Sequence, residues 1–415
     1  MPQSGYKHTL GWNLGFSSYW FATSFKWFIL LLVFIPDKVS QIVPDGEKNT
    51  WWGLILGTGA IWALFGPSLF GRMSETGSRK WRHRAPWIEL GSGLTCIALV
   101  GVLQAPNLLL LAAAYFLLQV SDDLGTGPYA GMVADTVPSE HRGFASSVLG
   151  GFKLSGQLLS AISAMILGEW MLIFIGIGTV NVLCAAWTIY TIRDVPSRPE
   201  PVARQPWIRE YFAPFKNRDF LFVWLNRLIV AFAFSCISAY SLNYLKDMHE
   251  SYMLFGLDLG DAGKSAQVLA LTVSFSGILG AILSSRLSDR IGRKPLLIWS
   301  AVGAASSLAP IILVKDYSTL WIFVFFYGLA NGIYISADWA MASDVLPSSE
   351  KSATEMGAWQ SSETAVQIPA GLVMGAFIDA FNRVTFGLGY KVMLGTAALL
   401  FLASTIIVPR IRSVR

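Results

Sequence analysis

Charge is what this sequence has least of. Asp, Glu, Lys and Arg make up only 14% of its 415 residues, against 53% hydrophobic, and the mean hydropathy is +0.51. A chain so short of charge cannot hide its apolar surface inside a soluble core, which excludes a soluble globular protein and assigns it to a bilayer. Cysteine is nearly absent. Cys96, Cys184 and Cys236 lie in three separate apolar segments with no ligand spacing, which points to apolar packing and away from a disulfide framework or metal cluster. Short segments of alternating polarity are missing, which argues against a β-barrel. So is any Gly-x-x-x-x-Gly-Lys-Ser/Thr loop, which argues against ATP as the energy source. No small-residue cleavage site follows the first apolar run, so that run is expected to be a retained helix. The net charge of +5 sits in loops and reads as membrane topology, not as nucleic-acid binding.

What is present is a series of apolar runs of roughly 20 residues, the length a helix needs to cross about 30 Å of hydrocarbon. Twelve spans are predicted, centred near Thr23, Ile61, Thr95, Gln119, Leu154, Val180, Ala231, Val273, Gly303, Tyr327, Thr364 and Leu399. With a cytoplasmic amino terminus, the even-numbered connections and both tails carry 21 of the 31 Lys and Arg and the opposite side 7. That asymmetry places both termini in the cytoplasm. The stretch Arg193 to Arg218 holds five prolines and is the one long connection. It divides the chain into an N-terminal six-helix bundle, 1–192, a cytoplasmic linker, 193–217, and a C-terminal six-helix bundle, 218–415. Within the linker, Trp207 to Phe215 could form a short helix on the membrane surface or remain extended.

The two halves echo each other. Ser121 to Ser147 and Ile335 to Gly357 share a frame in which Asp135 or Asp344 begins Asp-x-x-Pro, a basic residue follows at Arg142 or Lys351, and a small-residue helix comes next. A second repeated connection runs from Gly71 to Trp87 and from Ser285 to Pro295. In each copy an acid, Glu75 or Asp289, stands just past a span and is followed by clustered bases, among them Arg84, Arg290 and Arg293. Such an acid can hold a helix end or an arginine in one state and release it in another, so these residues, with Asp135, Arg142 and Asp344, are the gating candidates; positive-inside anchoring is the plainer reading.

The segment Ser288-Asp289-Arg290-x-Gly292-Arg293-Lys294, set in a six-plus-six layout, resembles the signature loop of the major facilitator superfamily. More narrowly, Ser74, Glu75, Lys80, Trp81, Arg84, Pro86 and Trp87, with Gly127-Pro128 and Ala134-Asp135, resemble the cation-coupled sugar symporters of the melibiose permease and sucrose transporter type. Ser285, Glu75, Arg82, Gln119 and Ala130 depart from those patterns. The resemblance implies an all-α membrane protein of twelve transmembrane helices in two pseudo-symmetric six-helix bundles. It also implies that spans one, four, seven and ten line a central cavity, around which the halves rock.

On the fourth span Tyr115, Gln119, Asp122, Thr126 and Tyr129 share one helical face; on the tenth Tyr327, Asn331, Tyr334 and Asp338 do. Lys26, Lys153 and Arg227 lie inside other spans. A basic residue at a helix centre costs about 2.5–3.5 kcal/mol, so each needs an anion. Lys26, on a face with Tyr19 and Thr23, is expected to pair with Asp122 or Asp123, with Lys153 a competitor; Arg227 is expected to pair with Asp338, and Glu363 to be a further buried acid. A static ion-pair network would look the same. The functional reading makes Asp122, Asp123, Lys26 and Asp338 the proton-coupling set. Tyr19, Gln119, Thr126, Tyr129, Lys153, Arg227, Asn331, Tyr334, Trp339, Trp359, Gln360 and Glu363 are the solute-contacting candidates, since a sugar wants aromatic faces and hydrogen-bonding groups.

The expected activity is transport and not catalysis: proton-coupled symport of a small polar solute, most readily a sugar or glycoside. Export of an amphipathic compound driven by protons, and a non-transporting pigment-assembly or sensor role, are the alternatives. No cofactor is expected beyond the coupling ion, a proton or, as the alternative, sodium. The expected partners are the solute and membrane lipid, with a functional monomer in a bacterial cytoplasmic membrane. Fusion reporters check the topology. A fluorescent protein joined after Arg415 should fluoresce and alkaline phosphatase inserted between spans seven and eight should be active; the reverse pattern inverts the assignment.

Overall fold

The computed structural model describes residues 9–76, 83–130, 142–195, 212–345 and 352–412, with Met132 and Thr136. The first helix, α1, runs Leu10–Ile29, passes through a π-helical turn at Leu30–Phe34 and resumes as α2, Ile35–Ile42. Pro36 explains the turn: it has no N–H to give and its ring crowds the carbonyl four residues back, so the chain widens there. Next come α3 Lys48–Thr76, α4 Ala85–Gln104, α5 Leu108–Ala130, α6 Arg142–Leu167 and α7 Trp170–Ile192. The later elements are α8 Arg218–Met248, a hairpin of β1 Met253–Leu254 and β2 Leu257–Asp258, α9 Ala262–Ile291, α10 Arg293–Ile311, α11 Tyr317–Asp344, α12 Ser352–Leu372, α13 Met374–Val384 and α14 Leu388–Ile407.

Each of the twelve expected centres lies inside one of these helices. Among the described residues, ten stretches are long and apolar enough to cross a membrane. The serine- and glycine-rich α6 and α10, which opens on Arg293 and Lys294, are not among them. Of the suggested surface helix, residues 207–211 lie outside the described residues, and Pro214–Lys216 form a single 3-10 turn.

The chain packs as two compact units, Met1–Leu31 with Ile61–Ala203, and Leu32–Ala60 with Arg204–Arg415. In the first unit α1 packs on α6 and α7, and α4 packs on α5 and α7. The second repeats this plan, with α8 on α12 and α14, and α10 on α11 and α14. The repeat seen in the loops is therefore also a repeat of helix neighbours. Polar bonds pin the small-residue contacts of the first unit: Asn181 donates to Ser92 Oγ at 2.9 Å, and Ser18 meets Thr188 at 2.9 Å. In hydrocarbon such side-chain bonds, with close backbone approach, replace the hydrophobic drive that lipid cannot supply.

The expected division at 193–217 follows chain order. By packing, residues 32–60 sit with the C-terminal helices, and glycine is the reason. On α3 Gly53 and Gly57, one turn apart, face Gly371 near the end of α12, and Gly375 at the start of α13 faces the Asn49 backbone. A Cβ on Gly371 would lie 2.7 Å from Gly57 N, and one on Gly375 2.7 Å from Tyr240 Oη. No side chain fits between the backbones. Gly371→Leu should therefore lower the thermal stability of the purified protein by about 1–3 kcal/mol or more. Gly151→Leu, where nothing lies within 4 Å, should stay within about 0.5 kcal/mol; equal effects would contradict the packing account.

Candidate functional site

In the first unit α1 brings Tyr19, Thr23 and Lys26 against the polar stripe of α5, and the ion pair expected at this depth is present. Lys26 Nζ bonds Asp122 Oδ1, and Lys26 is 1% exposed, so water does not solvate either charge. Asp122 is well supplied with donors: Trp27 Nε1 gives its N–H to Oδ2 at 2.7 Å, and Thr23 Oγ1 approaches Oδ1 at 3.4 Å. The indole of Trp27 also lies 5.1 Å from the ammonium and meets Tyr115 edge-on at 6.0 Å. Asp123, buried beside it, differs. Its oxygens receive the Gln119 amide at 3.3 Å, and among the described residues it has no ion pair. Gly66 leaves the space on its other side; a Cβ there would lie 2.7 Å from Asp123 Oδ2 and 2.6 Å from Trp62 Nε1.

Below this cluster Tyr129 gives its hydroxyl to Phe16 O at 2.5 Å and packs edge-on against Tyr19 at 5.5 Å and near Trp20 at 6.1 Å. Thr126 is buried and spends its hydroxyl on the Asp122 carbonyl at 2.9 Å. Both serve the helix backbone first.

The second unit carries its own cluster. Arg227 on α8 reaches Asp338 on α11 at 2.5 Å and Glu363 on α12 at 2.8 Å, with its guanidinium 3.8 Å over the Trp359 ring. Asn226 donates to Tyr334 Oη at 2.9 Å, and Asn331 is buried a turn away. Among the described residues, Arg227 Nε and Asp338 Oδ1, both buried, have no hydrogen-bond partner. At the register that superposes Asp135 on Asp344, Asp122 falls on Asn331 and Tyr129 on Asp338. The two charged clusters are thus not images of each other in the repeat.

Two expectations need correction. Lys153 is exposed on α6 and takes no part in the cluster, because α6 meets α1 at Gly156 and Asp122 already holds the Lys26 ammonium. Glu363 is not a buried acid: its side chain is 60% exposed, and Arg227 reaches out to it from beneath. Of the gating candidates, Arg84 is buried and donates to Ser74 Oγ, and Arg293 is half-buried at the start of α10. Asp135 and the side chains of Glu75, Arg142, Asp289, Arg290, Asp344, Trp339 and Gln360 lie outside the described residues.

A third cluster, in the second unit, escaped the sequence reading. Asp379 on α13 is 2% exposed and takes the Thr50 N–H and hydroxyl on one oxygen, each at 2.7 Å, and the Asn49 amide on the other at 2.8 Å. Asn243 donates to Asn49 Oδ1 at 2.8 Å; Lys48 and the Tyr390 hydroxyl close on Asp247 at 2.5 and 2.6 Å; Lys246 pairs with Asp37. These bonds fasten residues 37–50 to α8, α13 and α14. Read along the chain they are ordinary loop-end charges, and only the pairing reveals the latch.

Comparison with known proteins decides the class. A family profile described as Major Facilitator Superfamily matches residues 16–351 and 253–414. The chain belongs to the major facilitator superfamily. It is accordingly an integral membrane transporter of small solutes, not an enzyme. Among curated relatives, the multidrug resistance protein MdtG of Escherichia coli O9:H4 (strain HS) is 25% identical over 367 residues, covering 85% of this chain and 84% of MdtG. Solved structures share the superfamily fold at lower identity. A peptide transporter POT in complex with sulfate aligns with TM-score 0.72 at 14% identity, over 99% of this chain and 97% of that one. A D-xylose-proton symporter aligns with TM-score 0.70 at 15%, over 96% of each.

The energetic weight of the Lys26–Asp122 pair is measurable. Lys26→Ala strands a buried carboxylate and should cost about 3–5 kcal/mol, whereas Lys26→Met with Asp122→Leu should recover most of it. Thermal unfolding in detergent of Lys26→Met, Asp122→Leu and the double variant reads the coupling; additive losses would show that the pair is not a unit.

Proposed function

We propose that the protein is a proton-coupled secondary transporter of a small polar solute, a sugar or glycoside, working by alternating access in a bacterial cytoplasmic membrane with both termini cytoplasmic. The observation that carries the coupling is a charge imbalance: two adjacent buried carboxyls, Asp122 and Asp123, face one ammonium, Lys26. An uncompensated charge at this depth is costly, and a proton on one carboxyl closes the balance. Asp122 already has the ammonium, an indole N–H and a threonine, so Asp123, held by one amide, is the carboxyl we assign the proton. A solute that displaces Gln119 or rotates α1 changes the partners of that carboxyl and so couples binding to protonation. Asp338 is the second candidate, because Arg227 divides its donors between Asp338 and Glu363.

For the solute, Trp20 and Trp27 in the first unit offer half-buried ring faces; in the second unit, taken by itself, Arg227 and Asn331 offer polar groups. A second reading, proton-driven export of an amphipathic compound, is favoured by the likeness to MdtG and by the engagement of the Gln119 and Asn226 amides within the protein.

Proteoliposomes separate these readings. With an imposed proton gradient, a sugar panel should show uphill accumulation accompanied by proton entry. Asp123→Asn should abolish accumulation while leaving exchange of preloaded solute. Undiminished uphill uptake by that variant would remove Asp123 from the mechanism; extrusion of amphipathic dyes with no sugar flux would establish the exporter.

A further inference from the structure

The connection between α8 and α9 is a hairpin whose tip has the wrong chemistry for water. Met253 pairs with Asp258 and Leu254 with Leu257, leaving Phe255 and Gly256 as a two-residue turn. Both adopt positive φ, 48° at Phe255 and 91° at Gly256. This is the sense of a type I′ turn, which Asn-Gly or Asp-Gly fills without difficulty. A phenylalanine in the left-handed region is strained, and Phe255 is the sole non-glycine residue there among the described residues. The strain carries the ring outward: Phe255 is 66% exposed and Leu257 65%, with Met253 exposed beside them. From Ser251 to Leu257 no residue is charged, while Glu250 and Asp258 flank the run.

The position of this tip follows from α11. Ser318 fixes the hairpin to that helix, donating to Met253 O at 2.8 Å and accepting the Phe255 N–H at 2.9 Å. The Phe255 ring then meets Trp321 edge-on at 5.7 Å, and Trp321 continues to Phe325 at 6.0 Å and on to Phe326 at 5.9 Å. Ile322 and Phe326 are exposed and apolar within the membrane-spanning stretch Tyr317–Asp338, so lipid covers that face. The water level is marked by Asp316, which caps α11. The Thr319 N–H and hydroxyl, each at 2.8 Å, hold its carboxyl below the usual carboxylate range, and it stays ionised. Trp321 lies about 7.5 Å further along the axis, within the depth of roughly 5–10 Å at which amphipathic segments rest in an interface.

We infer that the hairpin tip, Phe255 and Leu257, inserts into the headgroup–acyl boundary of the bilayer and anchors the α8–α9 connection to lipid. The occupant is the bilayer because the exposed tip is continuous, through Trp321 and Phe325, with a helix face that lipid already covers. Aromatic rings suit that boundary, and the acids at the base of the hairpin, Glu250, Asp258 and Asp261, remain on the wet side.

The test uses the full chain in vesicles of phosphatidylcholine with phosphatidylglycerol, with Cys96, Cys184 and Cys236 replaced by alanine and one new cysteine carrying a bimane label. At Phe255→Cys the label should be quenched by doxyl groups placed high on the acyl chain and should resist aqueous iodide several-fold better than the label at Asp258→Cys. Equal iodide quenching at both sites overturns the inference. So does protection from iodide without quenching by labelled lipid, the result a second copy of the chain would give. Should the cysteine-depleted protein fail to fold, the same two positions can be read in the native background with a membrane-impermeant maleimide. There Asp258→Cys should react several-fold faster than Phe255→Cys, and equal rates would overturn the inference.

Discussion

A lysine ammonium inside an apolar helix has to close on an acid, and much else in the first unit follows from that requirement. Lys26 and Asp122 are more than ninety residues apart in sequence, so their bond demands that α1 lie against α5 in one register and at one depth. The neighbours then take the remaining valences: Trp27 on the second oxygen of Asp122, Thr126 on its carbonyl, Gln119 on Asp123. Apolar packing around α1 tolerates small slips. A buried charge pair does not, because a misplaced partner leaves a desolvated ion.

The second unit meets the same requirement with different parts. Arginine can serve two acids at once, and Arg227 does so, one buried and one at the rim, with Trp359 beneath its plane. Since this pair does not fall on the Lys26 pair in the repeat, the two halves share a helix plan but not a charge plan. The polar latch at residues 37–50 adds a contact that depends on geometry as much as charge. Three donors converge on Asp379, beside the close backbone approaches at Gly371 and Gly375.

Much of this was legible in the chain. Apolar run length specifies the spans, and the rarity of charge makes each intramembrane ion conspicuous, so the Lys26–Asp122 and Arg227–Asp338 pairs could be anticipated from depth alone. Four things could not. Lys153 looked as buried as Lys26, but which face of α6 meets α1 depends on Gly156, whose role appears only when the helices are packed. Glu363 sits among polar residues that mark a protein-facing side, yet it lies at the edge of that face and is exposed. The latch was invisible because Asp37, Lys48 and Asp247 stand at span ends, where charges are expected whatever they bind. Phe255 was equally silent: a single aromatic in a loop acquires meaning only from its backbone angle and from the ring of Trp321 beside it.

The proton assigned to the carboxyl pair can be observed without knowing the solute. Infrared difference spectroscopy of the protein in lipid, across a pH step, reports protonated carboxyl groups. The proposal predicts a protonated-carboxyl band in the resting protein that is lost in Asp123→Asn. If Asp122 and Asp123 are both ionised in the resting protein, or if the band survives unchanged in Asp123→Asn, the coupling mechanism is wrong and Lys26 with Asp122 is a structural pair alone.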